Sequence, residues 1–295
     1  MTPFADLEAV AAEFRRCGYI AERSLLTPLF LLTRLGRPLL LEGHAGVGKT
    51  ETAKVLAESL GLELIRLQCH EGLDVNSTVY EWNYQKQLLA IKLQEKSNLA
   101  ADAIERHIFG PEFLLERPLL RAISHEKAPA VLLIDEVDRA DEEFEAFLLE
   151  LLSDFQITIP EIGTITAAHP PFVVLTSNRS RELSDALKRR CLYHWIDYPT
   201  FEREQEIVRH KVPEITTALA RQVVLVVQSL RTLGLEKPPG VAETLDWAIA
   251  LIALGKTGLD ADTLETTKGC LLKSTEDFRI LQAQLTAVLA TATGD

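Results

Sequence analysis

One eight-residue stretch limits this chain more than any other: Gly43-His44-Ala45-Gly46-Val47-Gly48-Lys49-Thr50, a complete G-x-x-x-x-G-K-[ST] pattern. Pro38-Leu39-Leu40-Leu41-Glu42 in front of it reads as a short buried strand. Glu51 to Leu60 behind it carries apolar positions at helical spacing and stops at Gly61. The order strand, glycine-rich turn, helix predicts an α/β fold. The three glycines let backbone N–H groups turn inward around an anion, and the helix start adds its dipole. Lys49 is then placed for β and γ phosphates and the Thr50 hydroxyl for Mg2+, so a nucleoside triphosphate with Mg2+ is the implied ligand.

A second stretch separates hydrolysis from binding alone. Ala130-Val131-Leu132-Leu133-Ile134-Asp135-Glu136 is an apolar run of strand length ending in two carboxylates. A strand apolar at every position is buried on both faces, as in the middle of a parallel sheet. Asp135 at its end is expected to hold Mg2+ and Glu136 to polarise the attacking water; one charge serves the metal and the other the nucleophile. The acids that follow, Asp141, Glu142, Glu143 and Glu145, suit a helix start instead.

Composition narrows the remaining classes. A hydrophobic content of 47% supports a packed core over 295 residues, enough for one large and one small domain. The formal net charge of −12 argues against nucleic acid and anionic membrane surfaces as partners. Cys17, Cys69, Cys191 and Cys270 are widely spaced, indicating reduced thiols rather than disulfides or a zinc site. No basic-then-apolar leader and no transmembrane segment are read, so a cytoplasmic location is expected.

Further along, Glu63–Leu67 reads as a strand and Asp141–Asp154 as an amphipathic helix. Gln156–Ile159 and Thr164–Thr166 form a β-hairpin pattern around Gly163. Phe172–Thr176 is another buried strand, leading to Ser177 and Asn178. A helical run ends at Lys188-Arg189-Arg190, and Tyr193–Asp197 is strand-like. Phe201–Val212, Ile215–Leu233, Ala242–Leu254 and Asp277–Thr291 are helical in pattern. A boundary is therefore expected near residue 200: an α/β nucleotide-binding domain over 1–200, with an insert at about 72–125 and a hairpin at about 155–167, and a helical domain over 201–295.

This order of parts resembles the AAA+ ATPases, and its details resemble the MoxR family. Asp135-Glu136-Val137-Asp138-Arg139-Ala140 is similar to that family's D-E-I-N-R-A, and Gln156–Thr166 to its hairpin. Gln68–Asp74 and Glu81–Leu89 look like the branch typified by CoxD. The resemblance implies a P-loop AAA+ core, a parallel sheet flanked by helices, with a C-terminal helical lid. It implies ATP and Mg2+ as ligands, with Gly43 to Thr50 binding the nucleotide and Thr50 and Asp135 the metal. Glu136, Asn178 and Arg190 are the implied catalytic group: Asn178 as the polar sensor orienting water, and Arg190, with Arg189 in reserve, as the finger reaching the next subunit's nucleotide. A homo-oligomeric, hexameric ring follows from a finger that acts in trans. The resemblance further implies a von Willebrand A-domain partner and a metalloenzyme client, of the molybdenum-containing carbon monoxide dehydrogenase type, matured by ATP-driven remodelling. The alternatives are a nucleic-acid motor of the same fold and a nucleotide-gated scaffold with little hydrolysis.

One departure stands out. The family's lid arginine has no counterpart in Lys237-Pro238-Pro239-Gly240-Val241-Ala242-Glu243, and Lys237 and Arg279 are imperfect substitutes. Trp82 and Tyr84 in the insert suit either an exposed client grip or a packed pair.

Overall fold

The computed structural model describes residues 4–94 and 107–293. Helices Leu7–Arg16 and Arg23–Leu35 lead into β1 (Leu39–Gly43), followed by helix Lys49–Leu60 and β2 (Leu64–Gln68). The insert contributes helix Val75–Val79, β3 (Tyr80–Trp82), helix Tyr84–Gln94, β4 (Leu114–Glu116) and helix Pro118–Ile123. The part of the expected insert at 95–106 lies outside the described residues. Next come β5 (Val131–Asp135), helix Glu142–Asp154, the hairpin β6 (Gln156–Ile159) and β7 (Gly163–Thr166), β8 (Phe172–Ser177), helix Asp185–Arg190 and β9 (Leu192–Ile196). Helices Phe201–Lys211, Thr217–Arg231, Val241–Ala253, Ala261–Leu271 and Thr275–Thr293 complete the chain.

The main sheet has the order β2-β5-β8-β1-β9. β2 with β5, β5 with β8 and β8 with β1 pair in parallel, which puts Leu132 opposite Ile65 and Val173. Every residue of β1 and β5 is buried, the apolar runs Leu39–Leu41 and Val131–Ile134 as a central parallel strand requires and Glu42 and Asp135 with them. Each such Leu, Ile or Val contributes about 1.5–3 kcal/mol by leaving water. The edge strand β2 alternates instead: Ile65 and Leu67 are buried while Arg66 and Gln68 are exposed. Parallel pairing brings the carboxyl ends of β1, β5 and β8 to one edge of the sheet, so Glu42, Asp135 and Ser177 finish there together.

The described residues fall into two compact units. One comprises Met1–Val10, Arg23–Glu42 and Ala53–His194; the other comprises Ala11–Glu22, Gly43–Thr52 and Trp195–Asp295. The first is built around Leu40, Leu132, Ile134, Val173 and Leu175, with Phe144 and Leu148 from helix Glu142–Asp154. The second packs Val208, Leu219, Val223, Trp247, Leu251, Leu264 and Leu281.

Helix starts follow the capping chemistry of the sequence. Asp141, Ser184, Thr200, Thr216 and Asp260 each accept the backbone N–H three residues on. Helix Ala261–Leu271 is not anticipated by periodicity, because threonines occupy part of its inner face. Thr263 and Thr267 are buried beside Leu264, and Thr267 accepts the Trp247 indole N–H at 2.8 Å. In the insert, Trp82 is buried edge-on against Phe109 and Tyr80, whereas Tyr84 is exposed. The packed alternative therefore holds for Trp82.

Candidate functional site

The phosphate loop lies in the second unit. Gly46 and Gly48 adopt φ of 74° and 96°, a conformation that side chains with a Cβ resist and that turns the intervening N–H groups to one side. Lys49 is buried, at 6% exposure, and its Nζ donates to the carbonyls of Gly43 (2.8 Å) and His44 (2.6 Å). The helix of Lys49–Leu60 begins at this lysine. A buried ammonium, glycine-turned amides and a helix start form a donor set suited to phosphate oxygens. Behind the loop, Thr52 donates to the hydroxyl of Tyr19 at 2.9 Å, and burial raises the pKa of that phenol.

The same unit lays its helical segment against the loop. The Ala242 N–H donates to the Gly46 carbonyl at 3.2 Å. A Cβ on Gly240 would stand 2.8 Å from Gly46 Cα and 2.8 Å from the Ala45 carbonyl, so only glycine fits there. His44 stacks on Tyr198 with ring centroids 4.6 Å apart and planes 7° from parallel. Arg231 sits on the Tyr198 ring at 4.4 Å. Arg231 is in turn held by the fully buried Glu204 through two 2.7 Å contacts, and Glu204 also accepts from Gln228 and Thr244. Among the described residues, Gly240, Ala242 and Glu243 approach Gly46 from this segment, and none of these three is cationic. Lys237 donates its backbone N–H to Asp277, and the exposed Arg279 pairs with Glu276.

The acidic strand end lies in the first unit. Asp135 is 2% exposed; its Oδ1 accepts the Thr176 hydroxyl at 2.5 Å and its Oδ2 accepts Nε and Nη2 of Arg66 at 3.0 and 2.5 Å. Glu136 takes the left-handed conformation, φ 54° and ψ 48°, and its N–H donates to the same Thr176 oxygen at 2.9 Å. That turn sends the two carboxylates apart: Asp135 inward, Glu136 outward with a third of its side chain exposed and Arg139 at 3.3 Å. A left-handed non-glycine residue costs about 1–3 kcal/mol, held here by the Thr176 bond.

Asp138 organises the end of β8. Its carboxylate accepts the N–H groups of Asn178 (3.2 Å) and Ser180 (2.7 Å) and the Ser180 hydroxyl (2.7 Å). Asn178 is thereby fixed, exposed, one residue beyond β8. Nearby, the buried Glu42 accepts the Tyr193 hydroxyl at 3.0 Å, with Arg179 at 3.9 Å. Arg190 and Arg189 are both exposed at the end of helix Asp185–Arg190. The Arg190 Nε donates to Ser153 at 2.9 Å, and the Arg189 carbonyl accepts from Arg37.

Three residues in these networks escape motif reading. Thr176 carries a signal only in hindsight, as the first hydroxyl of Thr176-Ser177-Asn178 at the end of an apolar run. Asp138 is hidden in a run of acids. Arg66 is marked only as a cation on the polar side of an alternating strand.

A family model described as AAA domain, dynein-related subfamily, matches residues 38–191, just over half of the chain. The denitrification regulatory protein NirQ of Stutzerimonas stutzeri is 27% identical over 218 residues, covering 71% of this chain and 69% of that one. NirQ of Pseudomonas aeruginosa is 27% identical over 75% of this chain and 78% of its own. The protein CbbQ of Hydrogenophilus thermoluteolus is 24% identical over 74% and 75%. Among solved structures, a RuvB variant of Thermotoga maritima superposes with a TM-score of 0.52 at 19% identity, covering 98% of this chain and 85% of that chain. This last likeness concerns the fold.

Proposed function

Because the chain belongs to the AAA domain family, dynein-related subfamily, we propose that it is a MoxR-type ATPase that binds ATP with Mg2+ and hydrolyses it to drive remodelling of a partner protein. The observation that carries hydrolysis beyond binding is the divergent acid pair. Asp135 is buried and held by two donors, whereas Glu136 is turned outward on a strained backbone pinned by Thr176. A carboxylate kept partly in water beside a buried one is what a base needs if the metal is to be held by its neighbour.

In this reading residues 1–200 are the nucleotide-binding domain and 201–295 the helical lid. The amides of Gly43 to Gly48 and the Lys49 ammonium bind the phosphates, and Thr50 and Asp135 supply oxygen donors for Mg2+. When bound, Mg2+ neutralises charge developing on the phosphate oxygens. Glu136 accepts a proton from the attacking water, Asn178 orients that water, and Arg190 serves the nucleotide of a neighbouring copy in a homo-oligomeric, hexameric ring. The described lid residues nearest Gly46, Gly240, Ala242 and Glu243, carry no positive charge, so lid closure is read as packing of Gly240 and Ala242 onto the loop, and turnover as modest.

The similarity to the denitrification regulatory protein NirQ supports a regulatory role, and the CoxD-like stretches support a metalloenzyme client with a von Willebrand A-domain partner. The test is ATPase activity of wild type, Glu136→Gln and Arg190→Ala over a range of protein concentrations, with light scattering. Specific activity rising with concentration, ATP retained by Glu136→Gln, and rings of Arg190→Ala that do not hydrolyse are expected. Hydrolysis that is independent of concentration and survives loss of Arg190 refutes the trans-acting ring.

A further inference from the structure

β2 is an edge strand, and from its open face Arg66 reaches across to β5. Its Nε and Nη2 both donate to one oxygen of Asp135, Oδ2, at 3.0 and 2.5 Å, and Nη2 also donates to Gln68 Oε1. The other oxygen of Asp135 is engaged by Thr176. The two ends of the ion pair differ in exposure: the Asp135 side chain is 3% exposed and that of Arg66 48%. A buried carboxylate needs a counter-charge, and removing the partner leaves its charge uncompensated. The half-hydrated guanidinium of Arg66 is a counter-charge that can return to water at small cost.

Resting on the reading of Asp135 as the metal-holding acid, we propose that Arg66 is its resident counter-ion: it neutralises and aims the carboxylate before loading and gives way to the metal. Two cations that share one carboxylate repel each other. Arg66 therefore opposes metal capture, and the phosphate oxygens of the nucleotide supply the extra attraction that overcomes it. Metal loading is thus tied to nucleotide arrival. Thr176, on the far oxygen, keeps the carboxylate aimed while the cations exchange. Arg66 is a positioning residue in this scheme and does not touch the reacting atoms.

The experiment is an electron paramagnetic resonance titration of Mn2+ into the full chain saturated with a non-hydrolysable ATP analogue, for wild type, Arg66→Gln, Arg66→Lys and Asp135→Asn. Arg66→Gln is expected to bind Mn2+ about tenfold more tightly than wild type, with Arg66→Lys in between, because Lys keeps the charge but not the two-pronged grip. The gap is expected to narrow as salt rises. A merely structural loss would weaken metal binding instead. The thermal midpoint is a second readout: Arg66→Gln is expected to melt lower without metal and to gain a larger increment than wild type from Mn2+ plus analogue. Equal or weaker Mn2+ binding in Arg66→Gln, or equal thermal increments, overturns the counter-ion role. Unchanged Mn2+ binding in Asp135→Asn refutes the metal reading itself, a separate failure.

Discussion

Replacing Thr176 by valine removes one hydroxyl at constant shape and tests the geometry on which the acid pair depends. That hydroxyl donates to Asp135 at 2.5 Å and accepts from the Glu136 N–H at 2.9 Å, at a position 1% exposed. A hydrogen bond to a charged group contributes about 1.5–3 kcal/mol, and a buried N–H left without a partner costs about 1–3 kcal/mol. Arg66 still compensates the Asp135 charge, so we take about 2–4 kcal/mol as the loss, below the sum of the extremes. Two compact units make a single global transition an unsafe measure. Native-state hydrogen exchange of the β5 and β8 amides reads the local loss directly, and 2 kcal/mol or more corresponds to exchange faster by roughly 30-fold or more. With Glu136 no longer pinned, hydrolysis is expected to fall by about 10²-fold, the low end for a misplaced general base. Thr176→Ser keeps the hydroxyl and loses a methyl, about 1 kcal/mol, and is expected to retain hydrolysis. Exchange in Thr176→Val within about threefold of wild type, under 1 kcal/mol, or equal hydrolysis in the Val and Ser variants, would falsify this account of the strand end.

Glu204→Gln leaves the Arg231 guanidinium buried without its charge partner and is expected to destabilise the second unit by about 3–5 kcal/mol; a change under about 1 kcal/mol by exchange of amides in helix Thr217–Arg231 would show that Arg231 finds water instead. Cys69 and Cys191 are pushed up to about 12, chiefly by burial and for Cys69 also by the Asp135, Asp138 and Glu136 charges. Both thiols are therefore expected to resist alkylation in the native chain and to react on unfolding. The sign for stability follows from proton binding: above the ordinary thiol value of 9.0 the unfolded chain loses protons that the folded chain keeps, so these groups' contribution is whole below that pH and is lost as pH rises toward 12. A urea midpoint that declines above about pH 9 in wild type, but less steeply in Cys69→Ala/Cys191→Ala, checks this, and identical slopes contradict it.

Local chemistry was legible without the structure. The phosphate loop, the strand before it, the helix after it and the Asp135-Glu136 strand end are written in contiguous residues, because turn glycines, apolar runs and caps act over a few positions. Strand ends shifted by one residue, as for β2 and β9, because fraying at an end costs little. Helix Ala261–Leu271 was hidden for a physical reason: Thr263 and Thr267 are both buried, Thr267 with its hydroxyl donating to the Thr263 carbonyl and Thr263 with its backbone N–H donating to Asp260, so polar letters occupy inward positions. What the sequence could not state is which distant side chains share a carboxylate. Thr176 meets Asp135 across 41 residues and Arg66 meets it across 69. Parallel strands become neighbours only through long crossovers, so the order β2-β5-β8 decides those partners. Likewise Arg231 is one cation among many in the sequence, until folding buries it on Glu204 and lays it over Tyr198. The residue types of the chemistry are carried by local sequence; their aim is set by pairing across the sheet and by burial, which exist only once the chain has folded.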